Sequence, residues 1–446
     1  MERNRIIIKN AHTHNLKNIN VEIPKHKLVV FTGVSGSGKS SLLFDTIFTE
    51  AQRQLIETFS TFARARLPKF SRPDVDDIQN LSTAIVIDQK RMGNNLRSTV
   101  GTATEINTYL RLLFSRIGKP FIGPSFLLSF NHPEGMCPHC HGLGKQVQVD
   151  IDMLLDKEKS IYEGAVVYPG MQVGSWFWRE ITAIDLFDVH KKIKDYSESE
   201  LNRLLYTEPI PINKKHGTGT YSKTYEGIAR KLERAVSEKA EDETPDEQKD
   251  VYKKYLIYSE CKNCNGSRLN KRALSVKIND VSIAELCAME LTEVLQFLST
   301  IKDEIALPML RKAQFLLEQL IEIGVGYLSL NRSVVTLSGG ESQRVKMARQ
   351  LDCNLVDMLY VLDEPSIGLH PRDTVKLLSI LKRLRDKGNS VFVVEHDPEI
   401  IKYADWIIDM GPEGGKRGGE VLFQGAPEDF IKCKESYTAA YLKNLI

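Results

Sequence analysis

The chain alternates short apolar runs with amphipathic stretches. Residues 5–8 (RIII), 18–23 (NINVEI) and 28–32 (LVVFT) have the length and composition of strands. The last run ends at Gly33. From residue 41 a stretch with no Gly or Pro before Pro68 predicts a helix. Further helices are predicted over 102–116, 283–300, 304–323 and 373–386, and a charged helical run over 228–254 with a loop-like Glu241–Asp246 inside it. Apolar runs at 358–362 (MLYVL), 390–395 (SVFVVE) and 405–409 predict strands, and 119–135, rich in Pro, Gly and Phe, a connector. Strands alternating with helices predict an α/β core with a parallel sheet. A middle insertion interrupts it.

Composition narrows the class. A length of 446 residues suggests roughly two to three domains. Hydrophobic residues at 42% and charged residues at 26% exclude a fibrous or largely disordered chain. Lys+Arg 60 against Asp+Glu 58 excludes a whole-protein polyanion binder, so any nucleic-acid surface is a local patch. No run approaches the roughly 20 apolar residues of a membrane span. The N-terminus has no signal-peptide pattern, so the expectation is a cytoplasmic protein without a membrane partner.

Residues 33–40, GVSGSGKS, fit G-x-x-x-x-G-K-[ST] between a strand and a helix. Gly33, Gly36 and Gly38 let the backbone curl so that its N–H groups face phosphate oxygens. Lys39 brings positive charge to the β/γ-phosphates of ATP, Ser40 can ligate Mg²⁺, and the following helix start faces the anion. The expected cradle is Gly33, Ser35, Gly36, Ser37, Gly38, Lys39, Ser40 and Ser41. The bland alternative is a Gly-rich turn.

Residues 359–364, LYVLDE, put two carboxylates at the end of an apolar strand. Asp363 would hold Mg²⁺ through water and Glu364 would act as general base. A surface turn is the alternative. LSGGE at 337–341 resembles the signature loop of ATP-binding-cassette ATPases. There Ser338, Gly339 and Gly340 would close on the γ-phosphate held by another module of a head-to-tail dimer, although a capped helix start accounts for the serine alone. Gln89 in IVIDQK and His396 in VVEHD resemble the Q-loop glutamine and the switch histidine, and 365–373 resembles the D-loop.

Cys137-Pro-His-Cys140 and Cys261-Lys-Asn-Cys264 are two C-x-x-C knuckles. Four thiolates suit tetrahedral Zn²⁺, and one ion would staple the ends of the inserted stretch. The alternatives are two half-sites completed by His139 or His141, or loss of metal. Cys287, Cys353 and Cys433 read as packing residues. Basic residues cluster at Arg64, Arg66, Lys69 and Arg72, at Lys90, Arg91 and Arg97, at Lys214, Lys215 and His216, and at Arg268, Lys271 and Arg272. Each could touch phosphates or be a solvated face. Trp176 and Trp178 read as core, with a stacking platform for a base or planar drug as the alternative.

Together these residues resemble the UvrA family of ATP-binding-cassette ATPases, the UvrA component of the excinuclease ABC system in bacterial nucleotide excision repair. The segments that carry the likeness include NAHTHNLKNINVEIP, GVSGSGKSSLLFDTI, FLLSFNHPEGMCPHCHGLG, ECKNCNGSRLN, TLSGGESQRVKMARQL and YVLDEPSIGLHPRD. Knuckles between P-loop and signature, and GLHPRD after the LDE strand, are unlike transporter cassettes. LIETFSTFARARLPKFSRPDVD, NLSTAIVIDQKRMG and VGSWFWRE look closer to daunorubicin-resistance-type UvrA-like proteins.

The resemblance implies an ABC-type P-loop core split by a zinc-stapled α-rich insertion: 1–118 as the first part of the ATP-binding core, 119–273 as the insertion, and 274–446 as signature helices and the second part. It implies an ATPase that binds DNA in damage recognition, with no nuclease activity. The alternatives are a drug-resistance protein binding intercalating or planar drugs, and a non-hydrolysing half of a heterodimer. The presence of Lys39, Asp363, Glu364 and His396 argues against the last. Only 119–128 occupies the place of the family's UvrB-binding domain, which speaks against UvrB contact. With one cassette, both composite sites need a second: a homodimer partner, a separately encoded half, or the missing part of a truncated product.

Overall fold

A computed structural model describes residues 4–443 apart from 91, 94, 96, 185, 217–218, 239–253, 352 and 354. Its centre is a six-stranded sheet. In spatial order the strands are Glu420–Gly425, Trp406–Gly411, Leu28–Gly33, Ser390–Val394, Leu359–Asp363 and Ala84–Ile87. All neighbours are parallel except the first pair. The strand alternation sorts side chains onto two faces. Leu28, Val30, Tyr360, Leu362, Val391 and Val393 join the larger core, which includes the helices. Val29, Phe31, Leu359, Val361, Phe392 and Val394 join a second core under the antiparallel sheet of Ile19–Pro24, Arg5–Ala11 and Val75–Gln79. Burial on both faces explains why these strands read as unbroken apolar runs.

The helical layer is built on Ile106–Ile117, which packs against Leu307–Glu322. The latter also meets Leu291–Ser299 and Gly339–Leu351. Several predicted helices are broken. The stretch from residue 41 is a π-helical Ser41–Phe48, in which the Thr46 and Thr49 hydroxyls bond the Ser41 and Phe44 carbonyls five residues back, followed by Thr49–Glu57. Extended Ser60 then caps a separate short turn, Thr61–Arg64. The helix expected over 102–116 splits at Glu105, whose φ is +65°. That expected over 283–300 splits where Glu290 and Glu293 form a second capping box.

The insertion has its own core, including Leu154, Ile161, Ala165, Phe177, Leu204 and Ile228. It joins the rest through an antiparallel ribbon, Lys145–Val149 with Leu256–Glu260, and besides its helices it holds the hairpin Ile210–His216 with Gly219–Tyr225. The charged run of 228–254 is helical over Ile228–Glu238; Glu241–Asp246 lies outside the described residues. Of the two tryptophans, Trp176 departs from its expected core placement. Phe177 takes the buried position between them, Trp176 is 59% exposed, and half-buried Trp178 donates from Nε1 to Ile161 O at 3.1 Å. Among the described residues no helix is long and apolar enough to cross a membrane.

Candidate nucleotide site and thiol cluster

The loop 33–40 leaves the end of the buried strand Leu28–Gly33. Gly33, Gly36 and Gly38 have φ of +126°, +74° and +108°, conformations that side-chain-bearing residues rarely adopt. A Cβ on Gly33 would lie 2.0 Å from Met410 O, so the neighbouring strand also demands glycine there. Lys39 is buried and its ammonium donates to Gly33 O at 2.8 Å and Val34 O at 2.9 Å. Burial lowers its pKa, opposed by Glu364, Asp409 and Asp363. Ser37 Oγ is buried with no protein partner. Ser40 and Ser41 stand at the start of the following helix, where Ser41 Oγ donates to Asn15 Oδ1 at 3.3 Å.

Parallel strand ends bring the distant residues to this loop. Asp363 ends Leu359–Asp363, and its carboxyl is raised by burial and by Glu364 and Asp88, opposed by Lys39. Lys39 thus feels the negative charge of three carboxylates, Glu364, Asp409 and Asp363. Glu364 has φ +40°, with its N–H bonded to Val394 O at 2.9 Å. Its Oε1 lies 3.6 Å from His396 Nε2. Gln89 Nε2 donates to Glu364 O at 3.4 Å. Desolvation and then Lys39 lower the pKa of His396 below its ordinary value, opposed by Glu364.

Ser338 and Glu341 form a reciprocal cap on Gly339–Leu351: Ser338 N–H to Glu341 Oε2 at 2.7 Å, and Glu341 N–H to Ser338 Oγ at 3.2 Å. A Cβ on Gly339 would sit 3.2 Å from Gln89 O, and one on Gly340 would sit 3.7 Å from Ile367 O. The 337–341 loop therefore lies close to Gln89 and Ile367 of its own chain.

Three residues escaped the sequence reading. Gln343, buried on the signature helix, donates to Ile87 O at 3.0 Å and Asp363 O at 2.7 Å. Lys346 binds Asp88 Oδ1 at 2.7 Å. Glu395 accepts from the N–H groups of Ser366, His396 and Asp397 at 2.8, 2.9 and 3.1 Å, tying the D-loop to the histidine. Buried Asp409 lies opposite Thr32 on the neighbouring strand, and burial raises its carboxyl to about 6, opposed by the charge of Lys39.

The 120-residue gap between the knuckles is closed by the ribbon. Cys137, Cys140, Cys261 and Cys264 are all buried, with their Sγ atoms within 4.8 Å of one another. Gly144 N–H donates to Cys140 Sγ at 3.2 Å. Burial raises the Cys137 thiol, but N–H donors from Cys140 and His139 and the Asn263 amide outweigh it and bring it to about 7. One four-thiol cluster forms, and neither His139 nor His141 belongs to it. Cys287, Cys353 and Cys433 are all half-buried, and desolvation pushes the Cys287 thiol up to about 12.

The basic clusters separate. Arg64, Arg66, Lys69 and Arg72 are exposed. Arg268 is not a surface cation: it is buried, stacks on Phe130 and donates to Arg97 O at 3.1 Å. Arg91 lies outside the described residues. Lys214, Lys215 and His216 fall on the strand Ile210–His216.

Residues 150–250 match the UvrA DNA-binding domain, so the inserted core is where that match falls. UvrABC system protein A of Clostridium acetobutylicum is 33% identical over 597 aligned positions, covering 99% of this chain and 63% of that protein. Over nearly its whole length the chain is thus similar to UvrA proteins. The Thermus thermophilus UvrABC system protein A is also 33% identical, with 98% of this chain and 62% of that protein covered. The solved structure of UvrA2 from Deinococcus radiodurans superposes with a TM-score of 0.81 at 37% identity, covering 98% of this chain and 58% of that one. The chain thus spans about three-fifths of the length of the UvrA proteins it matches. The Clostridium alignment exceeds the 446 residues of this chain by 151 positions, so that protein carries residues within the matched stretch that this chain lacks.

Proposed function

We propose that this chain is an ATP-hydrolysing, DNA-binding UvrA-type protein that acts in DNA damage recognition without handing its product to UvrB. The observation that carries the reading is a P-loop lysine, two strand-end carboxylates and a histidine gathered in the same chain as a segment matching the UvrA DNA-binding domain. The 1–118, 119–273 and 274–446 division fits this reading, with the middle part as the DNA-facing insertion.

The cradle Gly33–Ser41 and Lys39 would bind the triphosphate. Glu364 takes the proton of the attacking water. His396, beside the Glu364 carboxylate, and Gln89, on the Glu364 carbonyl, would orient that water. Mg²⁺, held by Ser40 and by Asp363 through water, would neutralise charge on the phosphate oxygens. Ser338, Gly339 and Gly340 would complete the site of a second copy in a head-to-tail homodimer. The four cysteines fit Zn²⁺ in number, burial and spacing, and the ion would fix the base of the insertion.

Anisotropy of a labelled duplex, read with phosphate release, tests the whole. DNA affinity that changes with nucleotide, and hydrolysis that changes with DNA, are expected. A chain that hydrolyses ATP but binds no DNA in any nucleotide state would refute the DNA part.

A further inference from the structure

A loop that presents its N–H groups to an anion must turn its carbonyls away, and those carbonyls need donors of their own. Two of them, Gly36 O and Ser37 O, find theirs in one place. The turn between the last two strands of the sheet, 412–419, lies along the outer side of the phosphate loop. Gly415 N–H donates to Gly36 O at 3.0 Å and Gly419 N–H to Ser37 O at 2.9 Å. Half-buried Asn15 adds a third donor, its Nδ2 reaching Gly36 O at 3.0 Å and Gly415 O at 3.3 Å, while its Oδ1 accepts from Ser41 Oγ. The turn is itself anchored, since Lys17 N–H donates to Gly419 O at 2.9 Å.

The approach is backbone against backbone. A Cβ on Gly414 would lie 2.6 Å from Ser35 O, one on Gly418 3.0 Å from Ser37 Cα, and one on Gly36 3.4 Å from Gly415 N. Both ends of the turn continue into paired strands, and the first of these, Trp406–Gly411, is bonded to the strand that carries Gly33. The turn cannot shift without moving the sheet.

We propose that 412–419 and Asn15 form a positioning brace: by holding the outward carbonyls of Gly36 and Ser37, they keep the phosphate loop in its anion-binding shape. The inference rests on reading 33–40 as the nucleotide cradle. None of the brace touches the phosphates; it acts through the loop.

The test compares nucleotide affinity with stability. Asn15→Leu keeps the volume and removes the donor. Gly414→Ala pushes on the Ser35 carbonyl. Gly388→Ala is the control, a left-handed glycine (φ +88°) with no atom within 4 Å of an added Cβ. Binding of a fluorescent ATP analogue and of ADP is titrated well below each melting temperature. Asn15→Leu and Gly414→Ala are expected to raise Kd about tenfold, as loss of a donor to a loop carbonyl predicts. KM for ATP should rise with it while kcat at saturation stays within about twofold. Gly388→Ala should lower the melting temperature and leave Kd unchanged. An Asn15→Leu Kd equal to that of the unaltered chain overturns the brace, even if Gly414→Ala fails to fold. So does a Kd loss in Gly388→Ala as large as in the other two. If the unaltered chain binds neither nucleotide, the cradle reading fails first and the brace with it.

Discussion

Lys39, Asp363 and His396 stand at or just beyond the ends of strands whose side chains are almost wholly buried, whereas the four thiols stand at the neck of a subdomain that leaves the core through two paired strands. In the first region, position is a property of two cores at once, because each strand is packed on both faces. In the second it is concentrated in one small cluster. The difference separates two tasks. Phosphate chemistry needs groups held to fractions of an ångström, and a sheet interior supplies that. A surface that meets a large ligand needs a firm base more than a rigid whole, and a knuckle pair holding a metal would supply that locally.

The widest split between the regions should come from metal removal. Structural zinc sites contribute on the order of 10 kcal/mol of apparent folding free energy, so chelation or Cys261→Ser should expose 130–270 to hydrogen exchange. Nucleotide affinity should stay within about threefold, because the sheet ends share no ligand with the cluster. A metal-free chain with unchanged protection in that segment would remove the zinc assignment.

Next in size is Glu364→Gln. Loss of the base should slow hydrolysis by about 10²–10⁴-fold while ATP still binds. Light scattering should show this variant as an ATP-dependent dimer. Hydrolysis at the unaltered rate would show that the base lies elsewhere.

Asp409→Asn probes what the sheet end tolerates. The carboxyl has a folded-state pKa of about 6 against an unfolded value of 3.8, so the folded chain holds the proton more tightly. Stability therefore falls as pH rises between those values and is flat above them. The asparagine variant should lack that slope and be about 1–3 kcal/mol more stable above pH 6, by urea midpoints on either side of the window. An unchanged slope would assign the titration to another group.

The smallest effect belongs to the insertion surface. Trp176→Ala should change stability by less than about 0.5 kcal/mol, because the ring is largely exposed, whereas truncating buried Phe177 should cost about 3 kcal/mol or more. DNA affinity that falls for Trp176→Ala at constant stability would mark a stacking contact. Equal affinity would leave the tryptophan out of the interface.

The two regions also differed in how far they could be read from residues alone. GVSGSGKS and LYVLDE were legible because their chemistry is local: three glycines at positive φ, and an apolar strand ending in carboxylates. Gln343, Lys346 and Glu395 were not, because each serves backbone or carboxylate groups of another segment, and such partners carry no spacing signal. The one hint was a polar Gln on the buried side of the signature helix. The breaks at Ser60, Glu105 and Glu290 were hidden by amphipathic periodicity that runs on through them. The strand Val75–Gln79 (VDDIQ) escaped because an edge strand needs few apolar positions. The Cys knuckles were visible, but their meeting across the insertion depended on a ribbon that Lys145–Val149 only weakly signals.

The backbone of Glu364 bears on how such a chain would drift. A left-handed φ of +40° is strained for glutamate and easy for glycine or asparagine. Selection for stability alone would favour replacement there, by on the order of 1 kcal/mol. A copy relieved of hydrolysis would therefore be expected to lose this side chain early. On the proposed assignment of Glu364 as general base, a glutamate kept at this torsion is what continued selection for hydrolysis would predict.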